Sequence, residues 1–316
     1  MLIRPLPYLL LLLSVPCTAA DFPGIPQFVD EMVAKHGFKH AELTDVLRRA
    51  QRQQAVLDLI SKPATVKPWT EYRAIFVNDR RIKNGVKFWQ DYEKALQIAE
   101  NEFGVPQEII VAIIGVETLY GNNKGRFSVL DALTTLAFDY PRRSAFFLSE
   151  LEDYLLLARE QEWELFKVQG SYAGAMGIPQ FMPSSYRNYA VDFDNDDMKN
   201  LFENPLDAIG SVANYLNQYG WKKGEPVAFL ATLGDKYSGS GVRRSIAAWA
   251  AVGVKPVMQA GEDKTALLLD FTVADGVEYW LAFNNFQVIT LYNNSNFYAM
   301  SVYQLAQALR SAKRLQ

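Results

Sequence analysis

The segment from Pro106 to Gly121 constrains the fold more than any other part of the sequence. It is an almost unbroken apolar run, with a proline that suits the first turn of a helix and a glycine that suits its end. A helix that is apolar on all sides lies in a protein interior, so this segment predicts the centre of a helical core. Near its end it carries a carboxylate, Glu117, which is costly to bury.

Glu117 is therefore a candidate for chemistry. Burial should raise its pKa, and so should the negative end of the helix dipole. A carboxyl group that stays protonated near neutral pH can act as a general acid. The alternative is a glutamate that emerges at the helix end and pairs with an arginine.

The N-terminus has the pattern of a secretory signal peptide. Arg4 precedes the apolar run Leu9–Leu13, and the small residues 18–20 follow. We expect cleavage after Ala20, export, and a periplasmic location. The single cysteine, Cys17, follows a proline, which makes a poor lipoprotein site, so lipid anchoring at Cys17 is disfavoured. A mature chain without a thiol excludes disulfides and cysteine-ligated metals.

Charge and histidine content exclude other classes. The formal net charge is −3 and no basic run is present, which argues against nucleic-acid binding. The only histidines, His36 and His40, share one helix face, but no third ligand accompanies them, so surface residues are expected rather than a metal site. A Ser-His-Asp triad around Glu117 is not expected.

Hydrophobic periodicity predicts a mainly α (α+β) protein. Helical patterns cover most of the chain from residue 24 to residue 216, and another covers residues 299–312. The segments 227–233, 266–271 and 277–283 are β-rich, and Asp275-Gly276 predicts a hairpin turn between the last two. A further strand is predicted over Phe286–Leu291. We therefore expect a small sheet inserted near the end of a helical protein.

The segment from Gly170 to Ser185 is the second candidate for function. Its four glycines and two prolines disfavour a helix and allow the backbone to approach a ligand closely. It also carries hydroxyls, an amide and aromatic rings, which suit a sugar with polar hydroxyls and apolar faces. The alternative is a tight turn between helices that binds nothing.

Several motifs in one order resemble the membrane-bound lytic transglycosylase B family. They are Gly115–Thr118, Tyr140–Arg143, Gly170–Ser185 and Asp207–Tyr215, and the similarity runs from about residue 68 to the C-terminus. The resemblance implies a goose-lysozyme-like core that cleaves the β-1,4 bond between N-acetylmuramic acid and N-acetylglucosamine of peptidoglycan. The product is a 1,6-anhydromuramyl end, formed without water. After the signal peptide at 1–20, the resemblance implies an N-terminal helical domain at 21–75, a catalytic core at 76–222, a β domain at 223–291 and a returning C-terminal helix at 292–316.

The resemblance makes Glu117 the single catalytic acid and base. It also implies nine cleft residues, which are Tyr72, Arg142, Arg143, Ser171, Gln180, Tyr215, Tyr292, Asn293 and Tyr298. Plain core packing is the alternative for the tyrosines, and solvated or ion-paired surface positions are the alternative for the arginines. The motifs contain no obvious second carboxylate, so the N-acetyl group of the substrate is a candidate internal nucleophile.

The expected partners are peptidoglycan strands and other cell-wall enzymes, and the chain is expected to be a monomer without a cofactor for its chemistry. A hydrolytic muramidase and a non-catalytic cell-wall scaffold remain as alternatives.

The acidic segment from Asp192 to Met198 is a candidate calcium loop. Asp192, Asp194 and Asp196 alternate as at the start of an EF-hand, but the usual sixth-position glycine is Asp197. Glu203 stands at the twelfth position, whereas the family resemblance implies a longer loop with Met198 as a ligand and Asp207 as the closing one. A solvated acidic loop that binds no ion is the alternative.

Overall fold

The computed structural model describes residues 22–62, 67–234 and 239–315. The predicted signal peptide and Cys17 lie outside the described residues. Among the described helices, none is long and apolar enough to cross a membrane.

Three short helices open the described chain, and they pack on a later helix of the core. Backbone N–H groups that follow the second helix bond to side chains of the core: Gln51 donates to Asp131 and Gln53 to Thr135. The three helices are α1 (Ile25–His36), α2 (His40–Arg49) and α3 (Gln54–Ser61).

The helical core surrounds the apolar segment that the sequence placed at its centre. That segment forms α7 (Gln107–Thr118), in which every residue from Ile109 to Val116 is buried. The remaining helices of this part are α4 (Trp69–Phe76), α5 (Asp79–Asp91), α6 (Glu93–Phe103), α8 (Val129–Asp139), α9 (Ser144–Glu160), α10 (Pro183–Tyr189) and α11 (Pro205–Gln218). A two-stranded ribbon of β1 (Phe127–Ser128) and β2 (Gln169–Gly170) joins two loops of this core.

A five-stranded antiparallel sheet follows α11, in the order β4-β6-β7-β3-β5. Its strands are β3 (Ala228–Leu233), β4 (Arg243–Ser245), β5 (Val254–Pro256), β6 (Thr265–Val273) and β7 (Gly276–Ala282), with α12 (Ile246–Ala251) after β4. The hairpin that Asp275-Gly276 predicts is confirmed, and Gly276 has φ +140°, which suits a residue without Cβ.

The predicted strand over Phe286–Leu291 is wrong. The structure has a helix there, α13 (Asn284–Tyr292), followed by α14 (Asn296–Arg314). Residues 285, 286, 288 and 289 are buried, which is the spacing of a helix face rather than of a strand. The buried Asn285 side chain bonds to backbone groups of Lys222 and Glu225, so it anchors the start of the helix. Packing against α14 thus overrides the β propensity of Val288 and Ile289.

Two hydrophobic clusters hold the fold together. The larger runs from Phe22 to Leu309 and includes one face of the sheet, with Leu269 and Phe271. The smaller lies on the other face of the sheet around Trp249. The fold is thus mainly helical with a small sheet inserted near its end, as the sequence predicts, but two helices rather than one follow the sheet.

Candidate active site

Glu117 lies in the last turn of α7, where the backbone changes direction. Leu119, Tyr120 and Gly121 have φ values of +52°, +61° and +83°, all in the left-handed region. Two of these residues carry side chains that rarely adopt this region, and such strain is found where a site requires it. The Tyr120 hydroxyl donates to the carbonyl of Arg81 at 2.9 Å, and the N–H of Gly121 bonds to Thr118. The turn is therefore held by contacts outside the helix.

The Glu117 carboxyl group has one close polar partner among the described side chains. The Tyr298 hydroxyl of α14 lies 2.5 Å from its Oε1 and donates to it. Burial raises the pKa of Glu117 to about 7, and the bond from Tyr298 opposes that rise. No second carboxylate is hydrogen-bonded to Glu117 in the described part of the chain. Near neutral pH, a large fraction of Glu117 is therefore protonated and can act as an acid.

Three of the predicted cleft tyrosines surround this carboxyl group. Burial, and next the charge of Glu117, raises the pKa of Tyr72 and of Tyr292. Burial and the charge of Glu117 are also the two largest causes that raise the pKa of Tyr298. The rings of Tyr292 and Tyr298 lie nearly parallel, with centroids 6.5 Å apart. The site thus combines one buried acid with neutral aromatic side chains.

The aromatic wall extends further than the sequence indicated. Tyr215 lies 4.8 Å from Tyr292 between ring centroids, and 4.5 Å from Tyr219. Tyr189 lies 5.1 Å from Tyr215 and its hydroxyl bonds to that of Tyr219. Tyr189 and Tyr219 are not among the residues that the sequence predicts for the cleft. The spacing of four between Tyr215 and Tyr219 on one helix face was the signal that could have found the second.

The Gly170–Ser185 segment forms tight turns rather than a helix from Gly170 to Met182, and α10 begins at Pro183. Ser171 Oγ accepts bonds from the N–H groups of Ala173 and Ala175, at 3.2 and 3.0 Å. A Cβ on Gly125 would lie 2.0 Å from the carbonyl oxygen of Gly170, so only glycine fits beside this segment. The segment is thus held by its own side chains and by close backbone contact.

Side chains hold three successive carbonyls of this segment. Gln180 donates its amide to Gly177 O at 2.9 Å, Thr118 donates to Ile178 O at 2.8 Å, and Tyr292 donates to Pro179 O at 2.6 Å. Gln180 itself has φ +53°, a left-handed conformation. We refer to residues 177–180 as the pinned turn. Its contacts with α7 and α13 fix Gln180 relative to Glu117.

Several hydroxyl and amide donors of the predicted cleft residues are occupied within the protein. Gln180 Nε2 also donates to Lys124 O, at 3.1 Å, and Tyr215 donates to Leu291 O at 2.8 Å. The Gln180 amide oxygen remains as an acceptor. Gln180 and Tyr215 therefore also shape the site by bonding to backbone carbonyls of the protein.

The remaining residues predicted for the cleft lie on the protein surface. Arg142 and Arg143 occupy a single 3-10 turn, Pro141–Arg143, and are exposed. The Arg143 guanidinium lies over the Phe146 ring at 4.2 Å. Asn293, directly after α13, is exposed as well. The structure does not bring these three side chains into contact with Glu117.

The acidic loop brings three carboxylates together. Ligand oxygens of Asp192, Asp194 and Asp196 all lie within 4.8 Å of one another. Asp197, where an EF-hand has glycine, has φ +67°, so an aspartate here adopts the conformation that the glycine normally supplies. Two oxygens bound to one calcium ion at about 2.4 Å are at most about 4.8 Å apart, so the cluster fits such an ion.

The two candidate closing residues of the loop have other contacts. Asp207 is buried, and its two oxygens accept backbone bonds from Phe193 and Asn200 at 2.8 and 2.7 Å. Glu203 forms an ion pair with Lys124 at 2.6 Å. Asp207 thus ties both arms of the loop to α11, and its role as a ligand stays a prediction. Met198 is 58% exposed and its side chain lies outside the loop core.

The histidines behave as surface residues. His36 lies 2.6 Å from Glu152, and His40 lies 3.4 Å from Asp30. Each therefore has its own carboxylate partner, and the pair does not share a ligand set in the described residues.

The comparisons with known proteins agree with this geometry. The family model described as transglycosylase SLT domain matches residues 22–307. Membrane-bound lytic murein transglycosylase B of Escherichia coli K12 is 46% identical over an alignment of 306 residues, which covers 93% of this chain and 84% of that protein.

Two solved structures show the same fold. Soluble lytic transglycosylase SltB1 from Pseudomonas aeruginosa has a TM-score of 0.87 and 48% identity, covering 92% of this chain and 99% of that one. The Escherichia coli lytic transglycosylase Slt35, solved in complex with bulgecin A and with calcium, has a TM-score of 0.88 and 46% identity, covering 94% and 95%. With this fold and this similarity over nearly its whole length, the chain belongs to the transglycosylase SLT domain family of lytic transglycosylases.

Proposed function

We propose that Glu117 is the single acid and base of a non-hydrolytic cleavage of peptidoglycan. The observation that carries the proposal is the half-buried carboxyl group of Glu117, whose pKa is raised to about 7 and which is bonded to Tyr298, without a second carboxylate bonded to it in the described chain. A glycosidase with two carboxylates would use the second as a nucleophile or as a base for water. A site with one carboxylate suits a reaction in which the substrate supplies its own nucleophile.

The reaction begins with protonated Glu117. It donates its proton to the oxygen that joins N-acetylmuramic acid to N-acetylglucosamine, and the bond from the anomeric carbon to that oxygen breaks. The N-acetyl group of the muramyl residue meets the positive charge at the anomeric carbon as an internal nucleophile. The Tyr298 hydroxyl stabilises the Glu117 carboxylate that this step leaves.

The second step returns the proton to Glu117. The carboxylate takes the proton of the muramyl 6-hydroxyl, whose oxygen attacks the anomeric carbon and displaces the acetyl oxygen. The product is a 1,6-anhydro ring, and no water is consumed. Since the nucleophile belongs to the same sugar, its high effective concentration favours it over water. The chemistry uses Glu117 and groups of the substrate, and it needs no cofactor.

The cleft residues position the glycan strand in this proposal. The half-buried ring of Tyr72 contacts an apolar sugar face, whereas the buried Tyr215 and Tyr298 form the wall of the cleft behind it. The Gln180 amide oxygen accepts a bond from the substrate. Arg142 and Arg143 are exposed cations at the edge and suit carboxylates of the peptide or lactyl groups. Ser171, Tyr292 and Asn293 complete the proposed set.

We further propose that the acidic loop holds a structural calcium ion. The cluster of Asp192, Asp194 and Asp196 supplies three carboxylates, and Met198 and Asp207 are the predicted further ligands. The relative Slt35 has been solved in complex with calcium. The ion would neutralise mutual repulsion in the loop and tie it to α11, and it takes no part in the reaction.

The proposed location and organisation follow the sequence. Export through residues 1–20 would bring the enzyme to the periplasm, where its substrate lies, although the Escherichia coli relative is named as membrane-bound. The proposed boundaries are an N-terminal domain at 21–75, a core at 76–222, a β domain at 223–291 and a C-terminal helix at 292–316. The strands β3 to β7 all fall within the third of these ranges.

Product analysis tests the proposal. Purified protein is incubated with peptidoglycan, and the released fragments are analysed by mass spectrometry with and without borohydride reduction. Anhydromuramyl ends, which borohydride does not reduce, are expected from the native chain and not from Glu117→Gln. Reducible ends would identify a hydrolytic muramidase instead, and the absence of products would leave a binding scaffold.

A further inference from the structure

The turn after Glu117 has a backbone conformation that residues with side chains rarely adopt. Leu119 and Tyr120 follow one another with φ values of +52° and +61°. Their N–H groups bond back to the carbonyls of Gly115 and Ile114, at 3.2 and 3.3 Å. A helix that ends in this way normally has a glycine in the left-handed position, because a Cβ is strained there. A glycine would avoid the strain, which indicates that the side chain of Tyr120 has a use at this turn.

The Tyr120 side chain lies in a slot between two helices, and each helix has a glycine at the slot. A Cβ on Gly85 of α5 would lie 2.2 Å from the Tyr120 hydroxyl oxygen, and a Cβ on Gly115 of α7 would lie 2.5 Å from it. Both distances are far below van der Waals contact, so an alanine at either position would displace the phenol. The Cβ on Gly85 would also lie 2.5 Å from Leu309 Cδ2. The slot therefore lies where α5, α7 and α14 meet.

Arg81 joins the same two helices with one bond in each direction. Its carbonyl oxygen accepts the bond from the Tyr120 hydroxyl at 2.9 Å, and its guanidinium Nη1 donates to the carbonyl oxygen of Gly115 at 3.0 Å. The guanidinium also lies over the Phe76 ring, 5.3 Å from the ring centre. The N–H of Arg81 bonds to the side chain of Asn78, which caps the start of α5. We call Arg81 and Tyr120 together the turn clasp.

The turn clasp holds the chain on both sides of Glu117. Its arginine bonds to Gly115 before Glu117 in the sequence, and its tyrosine follows Glu117. Carbonyls in the last turn of a helix form its partly negative end, and the cation of Arg81 offsets that charge at Gly115. A change in the direction of the last turn would break one of the two bonds. The clasp therefore fixes where the Glu117 carboxyl group points, and a displacement of about 1 Å is enough to slow a catalysed reaction strongly.

We propose that Arg81 and Tyr120 are positioning residues that hold Glu117 in place for its proton transfers through the end of α7, without touching the substrate. The role rests on the proposed function of Glu117, whereas the contacts of the clasp do not. If the pair only packed the core, its loss would lower stability alone. A positioning role predicts in addition a lower kcat at an unchanged KM, because the residues that bind the glycan stay in place.

The first experiment compares two tyrosine hydroxyls. Tyr120→Phe keeps the ring in its slot and removes only the bond to the Arg81 carbonyl. With soluble peptidoglycan fragments at pH 5, where Glu117 is protonated, kcat should fall about tenfold while KM stays within about twofold. Tyr154→Phe is the matched control, since the Tyr154 hydroxyl also bonds to a backbone carbonyl, that of Leu165, at 2.6 Å. The control should lose stability and keep its kcat, and a native kcat in Tyr120→Phe would overturn the proposal.

The second experiment tests the arginine and its coupling to the tyrosine. Arg81→Gln should lower kcat as well, and Arg81→Lys should restore part of it, because an ammonium group still places a positive charge near the Gly115 carbonyl. Arg80→Gln, at the exposed neighbouring arginine, is the control and should behave as native. Arg81→Gln/Tyr120→Phe should lose less than the product of the two single losses, because both residues act on one turn. Losses that multiply, or an equal loss in Arg80→Gln, would contradict a shared clasp.

A third measurement reports on Glu117 without turnover. The chain is labelled with ¹³C at the glutamate carboxyl groups, and the Glu117 signal is identified by its absence in Glu117→Gln. Burial is the largest cause that raises the pKa of Glu117 to about 7. A loosened turn admits water to the carboxyl group, so Tyr120→Phe should move the titration midpoint from about 7 toward the ordinary 4.5.

Neighbouring groups do not obscure this shift. The titratable side chains next to Glu117 on the surrounding helices are Tyr72, Tyr292 and Tyr298. All three have pKa values raised above the ordinary 10, so they stay neutral over this range, and Tyr120→Phe leaves the charge of Arg81 unchanged. A midpoint that stayed at about 7 would overturn the proposal, because the carboxyl group would not have moved. Absence of anhydro products from the native chain would instead defeat the proposed function alone, since the titration needs no turnover.

Discussion

Burial and a hydrogen bond shift the pKa of Glu117 in opposite directions. Burial raises its pKa to about 7, and the Tyr298 hydroxyl, which stabilises the carboxylate, lowers it. The first step of the proposed reaction needs the protonated form. The fraction of enzyme with protonated Glu117 is therefore high at acidic pH and is lost as the pH rises through about 7.

Tyr298→Phe tests the second contact. Without the hydroxyl, the carboxylate loses its stabilising bond, so the pKa of Glu117 should rise and the alkaline limb of kcat/KM should move to higher pH. The measurement is the pH profile of anhydro-product release. Tyr303→Phe on the same helix, whose hydroxyl bonds to Ala228 O instead, is the control. A limb that stayed in place or moved to lower pH would show that the bond does not set the pKa.

Glu117→Gln tests the cost of the buried carboxylate through stability. The native pKa of about 7 lies above the ordinary value of 4.5, so the native state binds more protons than the unfolded state between these values. The ionised carboxylate therefore lowers the free energy of unfolding. This loss is absent below about pH 4.5, grows with pH and is complete above about pH 7, where it reaches about 3 kcal/mol. The variant, which has no charge there, should be more stable than the native chain at pH 8 but not at pH 4.5. Urea unfolding at both pH values measures this, and equal differences at both would refute it.

At the scale of elements, α7 and α13 act on the site through the pinned turn. The Gly177, Ile178 and Pro179 carbonyls are each bonded by a side chain, and the turn ends at Gln180 with φ +53°. A single lost bond should therefore loosen a strained conformation next to Glu117.

Thr118→Val tests this link. Valine keeps the shape of the side chain but leaves Ile178 O and the N–H of Gly121 without their partner. We expect a loss of about 1–3 kcal/mol in the free energy of unfolding and a lower kcat, because Gln180 loses its fixed position. Thr134→Val is the matched control, since the Thr134 hydroxyl is buried without a partner in the described chain. If both variants behaved alike, the bond to Ile178 would have no special role.

The calcium loop is the second element that can be tested alone. Metal-free protein should gain thermal stability on addition of calcium, because an ion that binds only the native state shifts the equilibrium toward it. Asp194→Ala should reduce that gain. Asp45→Ala, at an exposed ion pair on α2, should leave it unchanged. Identical melting curves with calcium and with a chelator would show that the loop binds no calcium under those conditions.

At the scale of the whole molecule, the site is assembled from distant segments. Tyr72 of α4, Glu117 of α7 and Tyr298 of α14 meet although 226 positions separate the first from the last. The sheet lies between α11 and α13 along the chain, so its packing sets where the last two helices return to the core. Substitutions that disrupt the packing between the sheet and the helices should therefore change the geometry of the active site.

Processing of the N-terminus is a prediction about the whole chain as well. Pro16 before Cys17 should make acylation inefficient, so most mature protein should begin at Asp21 and remain in the aqueous phase of a detergent partition. N-terminal mass spectrometry gives the cleavage site, and Cys17→Ser should leave the partition unchanged. A detergent-phase protein with an acylated Cys17 at its N-terminus would contradict this, since two or more chains anchor a protein stably.

The sequence by itself determined the features that depend on local physics. The apolar run with its late carboxylate predicted the buried helix α7, and the Asp275-Gly276 pair predicted the hairpin between β6 and β7. Each depends on neighbours in the chain, such as side-chain period, turn conformation and caps. The motifs and their order along the chain were also enough to identify the family.

The tertiary structure alone decided the rest, because it depends on contacts between residues far apart. An apolar β-branched segment at 286–291 became a helix since α14 and the backbone at 222–225 provide partners that only a helix can use. Tyr189 and Tyr219 joined the aromatic wall because α10 and α11 pack together. The close contact between Tyr298 and Glu117, which lowers an otherwise higher pKa, joins residues 181 positions apart. No local pattern encodes that distance, and packing of the buried core fixes it to within a hydrogen bond.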